Sequence, residues 1–421
     1  MMRLSLPLVA LAIVSGAASE PVILDWSALL GSVTADTKLQ ATSDRVNLLK
    51  TKPDPGLWDK LELRYETTGD LREHKIDARL SPYAFGERTA TRNLWNAKLT
   101  YNQAKQALAL SKALRDRYKL GLQWIYRQKQ LAYHQNLYKV YADRIQVHMT
   151  FAGTERFDPE DLVSSQQKLA DLQGEILSDQ NDIAELEQEL RTLIPGWSTV
   201  DLDTAGLLTV AELRQNFERL PNTVDSLFPE YRVQLERYRQ AERDEKLDEA
   251  SIRNYVSYLN VGYKLPLDKH YGWDDDKTAL EELSIGVGVK VPFGDGANLE
   301  TLGSRLDVID ERSELLDCQW DLTQDLNELH RTGGSLVRRM AVQDSFAAKV
   351  DAGALFTDYA VRAGSDPLLL LKARATGIQT SWNSEQLLFD AYFVYLDLLQ
   401  TSGVLVRDPG TNHMKKGALL Q

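Results

Sequence analysis

The sequence predicts a mixed α+β membrane protein in which a few β-strands are joined to very long α-helices. Three observations predict this fold class. They are an N-terminal export signal, four segments of about ten residues in which apolar and polar residues alternate, and proline-free stretches long enough for helices of about 60 residues. Helices of that length exceed the diameter of a globular domain, so a simple globule does not fit the chain.

The N-terminal segment, residues 1–19, is predicted to be a secretory signal peptide. It carries one basic residue, Arg3, followed by an apolar run from Leu4 to Val14 and by small residues that end in Ala18-Ser19. The apolar run is too short for a transmembrane helix. Because no cysteine lies near the expected cleavage site, we expect the mature chain to be exported and not lipidated.

Composition and motif content argue against several classes of function. The chain has 61 acidic and 49 basic residues, a formal net charge of −12, which argues against binding to nucleic acid. Its single cysteine, Cys318, cannot form an internal disulfide, and its six scattered histidines show no metal-ligand spacing. The sequence contains no nucleophile motif and no glycine-rich phosphate loop. We therefore expect no enzymatic activity, no cofactor and no metal site.

One architecture is predicted to occur twice along the chain. Phe85-Gly86 and Asp158-Pro159 both recur 208 residues later, as Phe293-Gly294 and Asp366-Pro367. Each half is predicted as helix, strand, loop, strand, very long helix, turn and helix. In the first half, the first and last of these helices are predicted at 26–50 and 159–193. The predicted division is a first repeat at 20–194, a proline-containing linker or equatorial segment at 195–228, a second repeat at 229–402 and a C-terminal tail at 403–421.

The predicted strands separate an apolar face from a polar face. Every second residue of 283–293 is apolar, and 58–67, 74–85 and 255–267 alternate in a similar way. We expect the polar faces to line an aqueous lumen through Glu62, Arg64, Lys75, Asp77, Arg79, Lys264 and Lys290. Taken alone, the strands favour the alternative of a soluble antiparallel sheet packed on a core. The export signal and the lack of further strands favour a barrel, which three chains with four strands each would close.

The predicted helices are expected to pack as coiled coils. Thr89–His148 alone would be about 90 Å long. Apolar residues in 169–193 recur at alternating steps of three and four, with Asp179 as the polar exception, and 299–323 shows a second seam of this kind. A coiled-coil rod would explain the helices but would leave the four amphipathic strands unexplained.

Three segments resemble the TolC-type outer-membrane efflux proteins, the outer membrane factor family. Leu283–Glu300 ("LSIGVGVKVPFGDGANLE") is similar to the family's strand that passes through a proline and a glycine into a tunnel helix. Phe151–Ile176 and Tyr359–Thr376 resemble the family's two periplasmic turns, and the order of elements matches over residues 26–402. The resemblance implies a homotrimer whose 12-stranded β-barrel, with four strands from each protomer, continues as a long α-helical coiled-coil tunnel. It also implies the outer membrane of a Gram-negative bacterium, with the tunnel extending into the periplasm.

The resemblance further implies partners. Family members dock to a periplasmic adaptor, or membrane fusion, protein and to an inner-membrane transporter. By position, Gly153, Thr154, Gly364 and Ser365 match the turns that family members present to the adaptor.

The second turn departs from the family pattern. Some members carry acidic residues just after this turn that constrict the tunnel and bind cations, whereas this chain has four consecutive leucines. We predict a periplasmic gate at Asp366, Leu368, Leu370 and Leu371, in which the leucines exclude water rather than hold cations. The leucines could instead only pack between helices, and Asp366 before a proline is more simply a helix N-cap.

The function predicted from the sequence is a passive duct of a tripartite export system across the outer membrane, for small-molecule efflux or type I protein secretion. The alternative is a periplasmic coiled-coil adaptor or structural protein with no channel. That alternative predicts one helical hairpin flanked by β-domains rather than a duplicated unit.

Overall fold

The computed structural model describes ten stretches of the chain, residues 22–24, 26–52, 54–67, 73–155, 157–194, 200–202, 206–266, 283–289, 296–349 and 366–418. The predicted signal peptide at 1–19, together with Lys290, Gly364 and Ser365, lies outside the described residues.

The described residues form six strands and nine α-helices. The strands are β1 (Val22–Leu24), β2 (Trp58–Thr67), β3 (Glu73–Pro82), β4 (Val200–Leu202), β5 (Val256–Pro266) and β6 (Leu283–Val289). The helices are α1 (Trp26–Gly31), α2 (Thr37–Lys50), α3 (Glu87–Thr150), α4 (Pro159–Leu193), α5 (Val210–Arg219), α6 (Pro229–Ile252), α7 (Gly296–Lys349), α8 (Pro367–Thr401) and α9 (Val404–Arg407).

Four of the strands form one antiparallel sheet in the order β2-β3-β5-β6. β3 pairs with β5 in a register that sets Ala78 opposite Val261 and Leu80 opposite Leu259, so this central pair joins the two halves of the chain. The strands of 10 or 11 residues are as long as tilted membrane-spanning strands. The predicted mixed α+β fold with four strands in one sheet is confirmed for the single chain.

The helices extend from one end of the strands and keep the order of the strands to which they are connected. β3 leads into α3 and α6 leads into β5 within a few residues, and α2, α3, α6 and α7 pack side by side in the order of the strands they join. Gly86 makes the turn into α3 with a φ of 87°, a conformation that favours glycine. With 64 residues, α3 is about 96 Å long. The sheet therefore passes directly into a wall of helices.

The opposite ends of the long helices carry a second layer. α4 packs on α3, and α8 packs on both α3 and α7. α4 and α8 each begin with a proline after an aspartate that caps the helix. The side chain of Asp158 accepts hydrogen bonds from the backbone N–H groups of Glu160 and Asp161, and the side chain of Asp366 accepts one from Leu368. The N-cap interpretation of Asp366 is therefore confirmed.

The largest apolar core lies around the middle of the long helices. Here α1, α5 and the C-terminal segment pack on α3, α7 and α8, and the fully buried side chains include Leu29, Tyr118, Leu213, Tyr395 and Met414. We call this the equatorial core. The Tyr118 hydroxyl donates to the Thr411 carbonyl at 3.0 Å and accepts from the His413 N–H at 3.1 Å, which ties the C-terminal segment to α3.

Several local features differ from the sequence-based expectation. The predicted helix at 26–50 is interrupted at Ser32–Ala35 by a 3-10 turn, because Asp36 caps α2 as a separate helix. The segment predicted as a linker contains β4, which pairs in parallel with β1, and α5, which begins with a capping box formed by Thr209 and Glu212. The predicted tail is part of the equatorial core, so neither segment is a simple connection.

Two helical glycines offer a matched test of this packing. A methyl group at Gly121 of α3 would lie 2.8 Å from the ring of Trp26, whereas a methyl group at Gly174 of α4 would meet nothing within 4 Å. We expect Gly121→Ala to lower the free energy of unfolding by about 1–3 kcal/mol through overpacking. Gly174→Ala should raise it by about 0.5–1 kcal/mol through helix propensity. Thermal unfolding of the detergent-solubilised protein measures both, and shifts of the same sign would contradict the packing of α1 on α3.

Candidate channel wall and periplasmic turns

The sheet brings the predicted lumen residues together on one face. The register sets Glu62 opposite Arg79, Arg64 opposite Asp77 and Lys75 opposite Lys264. Directly opposed residues of an antiparallel pair point to the same side of the sheet, so these six side chains share one face. Lys290 is the one predicted lumen residue that falls outside the described residues.

Charges on this face are paired within their own strands. Glu62 of β2 accepts from Arg64 at 2.9 Å and also pairs with Lys60, and Lys75 of β3 lies 2.7 Å from Asp77. The Arg79 guanidinium lies over the Tyr258 ring of β5, with 3.5 Å between the guanidinium carbon and the ring centroid. The face is therefore polar and charged, and the carboxylates of Glu62 and Asp77 are both paired with basic side chains.

Glycines on the polar face receive side chains from neighbouring strands, a feature that the sequence analysis missed. The Asp77 carboxylate lies over Gly262, the Asn260 amide over Gly286 and the Tyr258 ring over Gly288, and a Cβ atom at any of these glycines would collide. The covered carboxylate of Asp77 is only 5% exposed. The alternation of glycine with apolar residues in β6 is the signal that could have predicted this packing.

The opposite face of the same sheet is apolar and uncovered. The apolar side chains on this face are largely exposed in the single chain. Leu63 and Ile285, for example, are each 75% exposed. The exposed apolar side chains on this face include Leu61, Leu63, Tyr65, Ile76, Val261, Tyr263, Leu283, Ile285, Val287 and Val289. A contiguous apolar surface of this kind faces either lipid or another protein.

The first predicted docking turn lies at the end of α3 farthest from the sheet. Gly153 has a φ of 89°, which favours glycine, and Gly153 and Thr154 are both exposed. Just beside the turn, His148 is fully buried with its Nε2 atom 2.9 Å from Asp161 Oδ2, and Arg144 donates to Oδ1 of the same carboxylate. The turn itself is thus exposed. Beside it, Arg144 and His148 of α3 contact the carboxylate of Asp161, and these contacts join α3 to α4.

A buried polar cluster farther along α3 and α4 was not predicted as a site. Asp179, the polar exception in the leucine seam, is 2% exposed and lies 2.6 Å from His134 Nδ1. Glu175 lies 3.3 Å from the other ring nitrogen of His134, and Arg127 approaches Asp179 at 4.0 Å. A histidine on α3 facing a lone aspartate in an otherwise apolar seam is the signal that indicates this pairing.

The predicted gate residues lie at the start of α8. Leu368, Leu370 and Leu371 are half-buried in the single chain, while the adjacent Leu369, which was not among the predicted gate residues, is the most exposed of the four at 42%. Asp366 is exposed and serves as the N-cap. The gate assignment remains a prediction.

The described residues lack two further features. No described helix carries an apolar stretch long enough to cross a membrane. Within the same part of the chain, no group of histidine, cysteine, aspartate and glutamate side chains is arranged to hold a metal ion.

Comparison with solved structures finds several that match the chain over nearly its whole length. The open-state MtrE outer membrane channel of Neisseria gonorrhoeae superimposes with a TM-score of 0.62 at 12% identity, covering 100% of this chain and 99% of that one. The CmeC outer membrane channel of Campylobacter jejuni gives 0.61 at 10% identity, covering 96% and 94%. The chain therefore has the same fold as these outer-membrane channel proteins.

A third match, the outer membrane protein VceC of Vibrio cholerae, has a TM-score of 0.60 at 10% identity and covers 92% of this chain and 96% of that one. No protein-family model matches the chain, and no curated protein sequence matches it. The resemblance predicted from sequence is therefore confirmed at the level of the fold, through structure rather than through sequence identity.

The ion cluster beside the first turn predicts a response to acid. Hydrogen bonding from Arg144, the charge of that guanidinium and a further contact from His148 hold the pKa of Asp161 below its ordinary value. A lowered folded-state pKa stabilises the folded state above the unfolded pKa of about 4, and this contribution is lost as the pH falls through the folded pKa. The protection factors of the backbone amides at 144–155 and 157–162, which are exchange rates corrected for the intrinsic pH dependence of exchange, should therefore be high at pH 7 and fall below about pH 4.

In Asp161→Asn we expect fast exchange around this turn at pH 7 already, because the paired carboxylate is gone. Asp143→Asn removes the same charge from an exposed position of α3 and is the control. Equal exchange rates in the two variants at pH 7 would show that the ion cluster does not hold the turn.

Proposed function

We propose that the chain is one protomer of a trimeric outer-membrane channel, a passive duct of a tripartite export system for small-molecule efflux or type I protein secretion. The observation that carries the proposal is the four-stranded sheet with an exposed apolar face and a paired, charged face. A water-soluble sheet would expose the charged face and cover the apolar one. Here the apolar face suits lipid and the charged face suits a water-filled lumen.

Trimer formation follows from the edges of the sheet. Among the described strands, β2 and β6 each have one unpaired edge, and hydrocarbon offers no hydrogen bond to such an edge. If β6 of one protomer pairs with β2 of the next, three chains close a 12-stranded barrel. In this assembly no backbone edge remains in contact with lipid.

The helical wall also supports association with further copies. α7 carries an uncovered apolar stripe at coiled-coil spacing, the seam predicted from the sequence, formed by Leu299, Leu302, Leu306, Ile309, Leu316 and Trp320. These side chains are 53–66% exposed in the single chain. A neighbouring protomer beside α7 would cover the stripe and continue the wall into a closed tunnel reaching into the periplasm.

The proposed partners meet the end of the tunnel away from the sheet. Gly153 and Thr154 are exposed there, which suits contact with a periplasmic adaptor protein that joins the duct to an inner-membrane transporter. Gly364 and Ser365 are proposed for the same role from their sequence positions. The chain would supply no energy of its own, and the cargo would be chosen by the inner-membrane partner.

The alternative of a periplasmic adaptor with one helical hairpin is less well supported. The chain has two long helix pairs, α3 with α4 and α7 with α8, on a single sheet that both halves build. The gate is proposed at the start of α8, where Leu368, Leu370 and Leu371 of three protomers would converge near the axis.

Neighbouring positions of β6 test the face assignment. Ile285→Arg places a cation on the apolar face, where an arginine near the bilayer midplane costs about 2–4 kcal/mol. We expect less of this variant in the outer membrane and less detergent-stable trimer. Ser284→Arg adds the same charge to the polar face and should assemble at the wild-type level. Trimer yield from isolated outer membranes measures both, and equal yields would contradict the proposal.

Replacement of the leucines tests the gate. An apolar constriction resists ion flow by excluding water, so Leu370→Ser or Leu371→Ser should raise single-channel conductance in planar bilayers. Val163→Ser, which changes an exposed apolar side chain near the start of α4, should leave conductance unchanged. A serine variant that forms a stable trimer with wild-type conductance would remove these leucines from the gate.

A further inference from the structure

A basic cleft lies where the sheet passes into the helical wall. It has a volume of about 420 Å³ and runs between the start of α3 and the end of α6, directly beside the junctions with β3 and β5. Phe85, Gly86 and Asn93 line one side, and Arg243, Lys246 and Arg253 line the other. We call it the junction cleft.

The cations of the junction cleft are uncompensated. Arg243, Lys246 and Arg253 are exposed, and none of them makes an ion pair with another described residue. Glu249 is the only carboxylate among the lining residues, and it is already paired with Arg305 of α7 at 3.1 Å. The cleft therefore presents three positive charges without a matching negative charge, although the whole chain is strongly acidic.

The two faces of α6 differ in charge at this level. Helical spacing places Arg243 and Lys246 on one side of α6, and Arg253 follows directly after the helix, whereas Asp244 and Asp248 lie on the opposite side. Glu249 also lies on the first side, where it is paired with Arg305. Asp248 accepts a hydrogen bond from Ser304 of α7. In a tunnel, one face of the helical wall lines the lumen and the other face points outward. The two sides of α6, which differ in charge, would therefore meet different surroundings.

Exposed aromatic side chains surround the same level of the molecule. Phe85 is 84% exposed at the mouth of the junction cleft, Tyr255 is 59% exposed just before β5, and Trp58 is 42% exposed at the start of β2. All three lie at the end of the sheet that joins the helices. Aromatic residues of this kind concentrate where a membrane meets water, and basic residues beside them meet the phosphates of lipid headgroups.

We propose that the junction cleft binds the phosphate of an anionic phospholipid headgroup in the periplasmic leaflet. Arg243, Lys246 and Arg253 hold the phosphate through charge-assisted hydrogen bonds, and Phe85 contacts the first part of an acyl chain. The inference rests on the proposed membrane location of the sheet and assigns the outer surface of the wall to the basic face of α6. It gives each protomer a fixed lipid at the base of its strands.

The test compares lipid retention in two triple variants. Arg243→Gln, Lys246→Gln and Arg253→Gln together remove the cations of the cleft. Lys119→Gln, Lys139→Gln and Arg331→Gln together remove three exposed cations of the helices away from the sheet and serve as the control. Full-length protein in detergent is titrated with short-chain phosphatidylglycerol, short-chain phosphatidylcholine or inorganic phosphate, and bound lipid is counted by native mass spectrometry.

We expect wild type and the control variant to retain phosphatidylglycerol in preference to phosphatidylcholine. The cleft variant should lose at least about tenfold in affinity for phosphatidylglycerol. Undiminished retention by the cleft variant would overturn the proposal, as would inorganic phosphate that competes as well as the lipid. Unchanged retention with altered ion selectivity in planar bilayers would place the cleft on the lumen side and would also overturn it.

Wild-type conductance, measured in parallel, separates this inference from the proposed function. A wild type that conducts but shows no preference for the anionic lipid refutes only the lipid site. A wild type that forms no channel refutes the proposed function itself.

Discussion

The structure depends on the hydrogen bonding of one four-stranded sheet. The central β3–β5 pair joins the two halves of the chain, and it fixes which helices lie side by side because each strand continues into a helix. The backbone N–H and C=O groups at the outer edges of β2 and β6 pair with no other described strand. In the proposed membrane location such edges are too costly to leave open, so the proposed assembly, its closed tunnel and the covering of the α7 stripe would all follow from one requirement.

Much of this fold could be predicted from the sequence because the signals are long and periodic. The strand at 58–67 and the helix at 159–193 were predicted with the bounds that the structure gives, since alternation and the Asp-Pro start mark them without competition. The polar-face residues were placed on one side for the same reason, because strand periodicity fixes the side of every residue once one is known.

Other features could not be predicted because they depend on distant partners. The strands β1 and β4 have three residues each, too few to show a period, and they exist only by pairing across almost 180 residues. The tail was not recognised as part of the core because its buried residues, Leu405, His413 and Met414, follow no helical or strand spacing. The glycines of β5 and β6 read as small spacers, although their role is to leave room for Asp77, Asn260 and Tyr258. Asp179 was noticed as an exception, yet its pairing with His134 requires the register of two helices.

The position of the equatorial core along α3 has a mechanical consequence. From Tyr118 in that core to Thr150 at the tip, α3 extends by about 48 Å, and this arm packs against α4 and α8. An arm of that length works as a lever about the core, so a tilt of about 5° would displace its tip by about 4 Å. The part of α3 between the equatorial core and the sheet is connected to β3, so it cannot tilt freely. In the proposed channel, torque applied at the tip would therefore be absorbed as bending between the tip and the equatorial core, and the width of the barrel would stay constant.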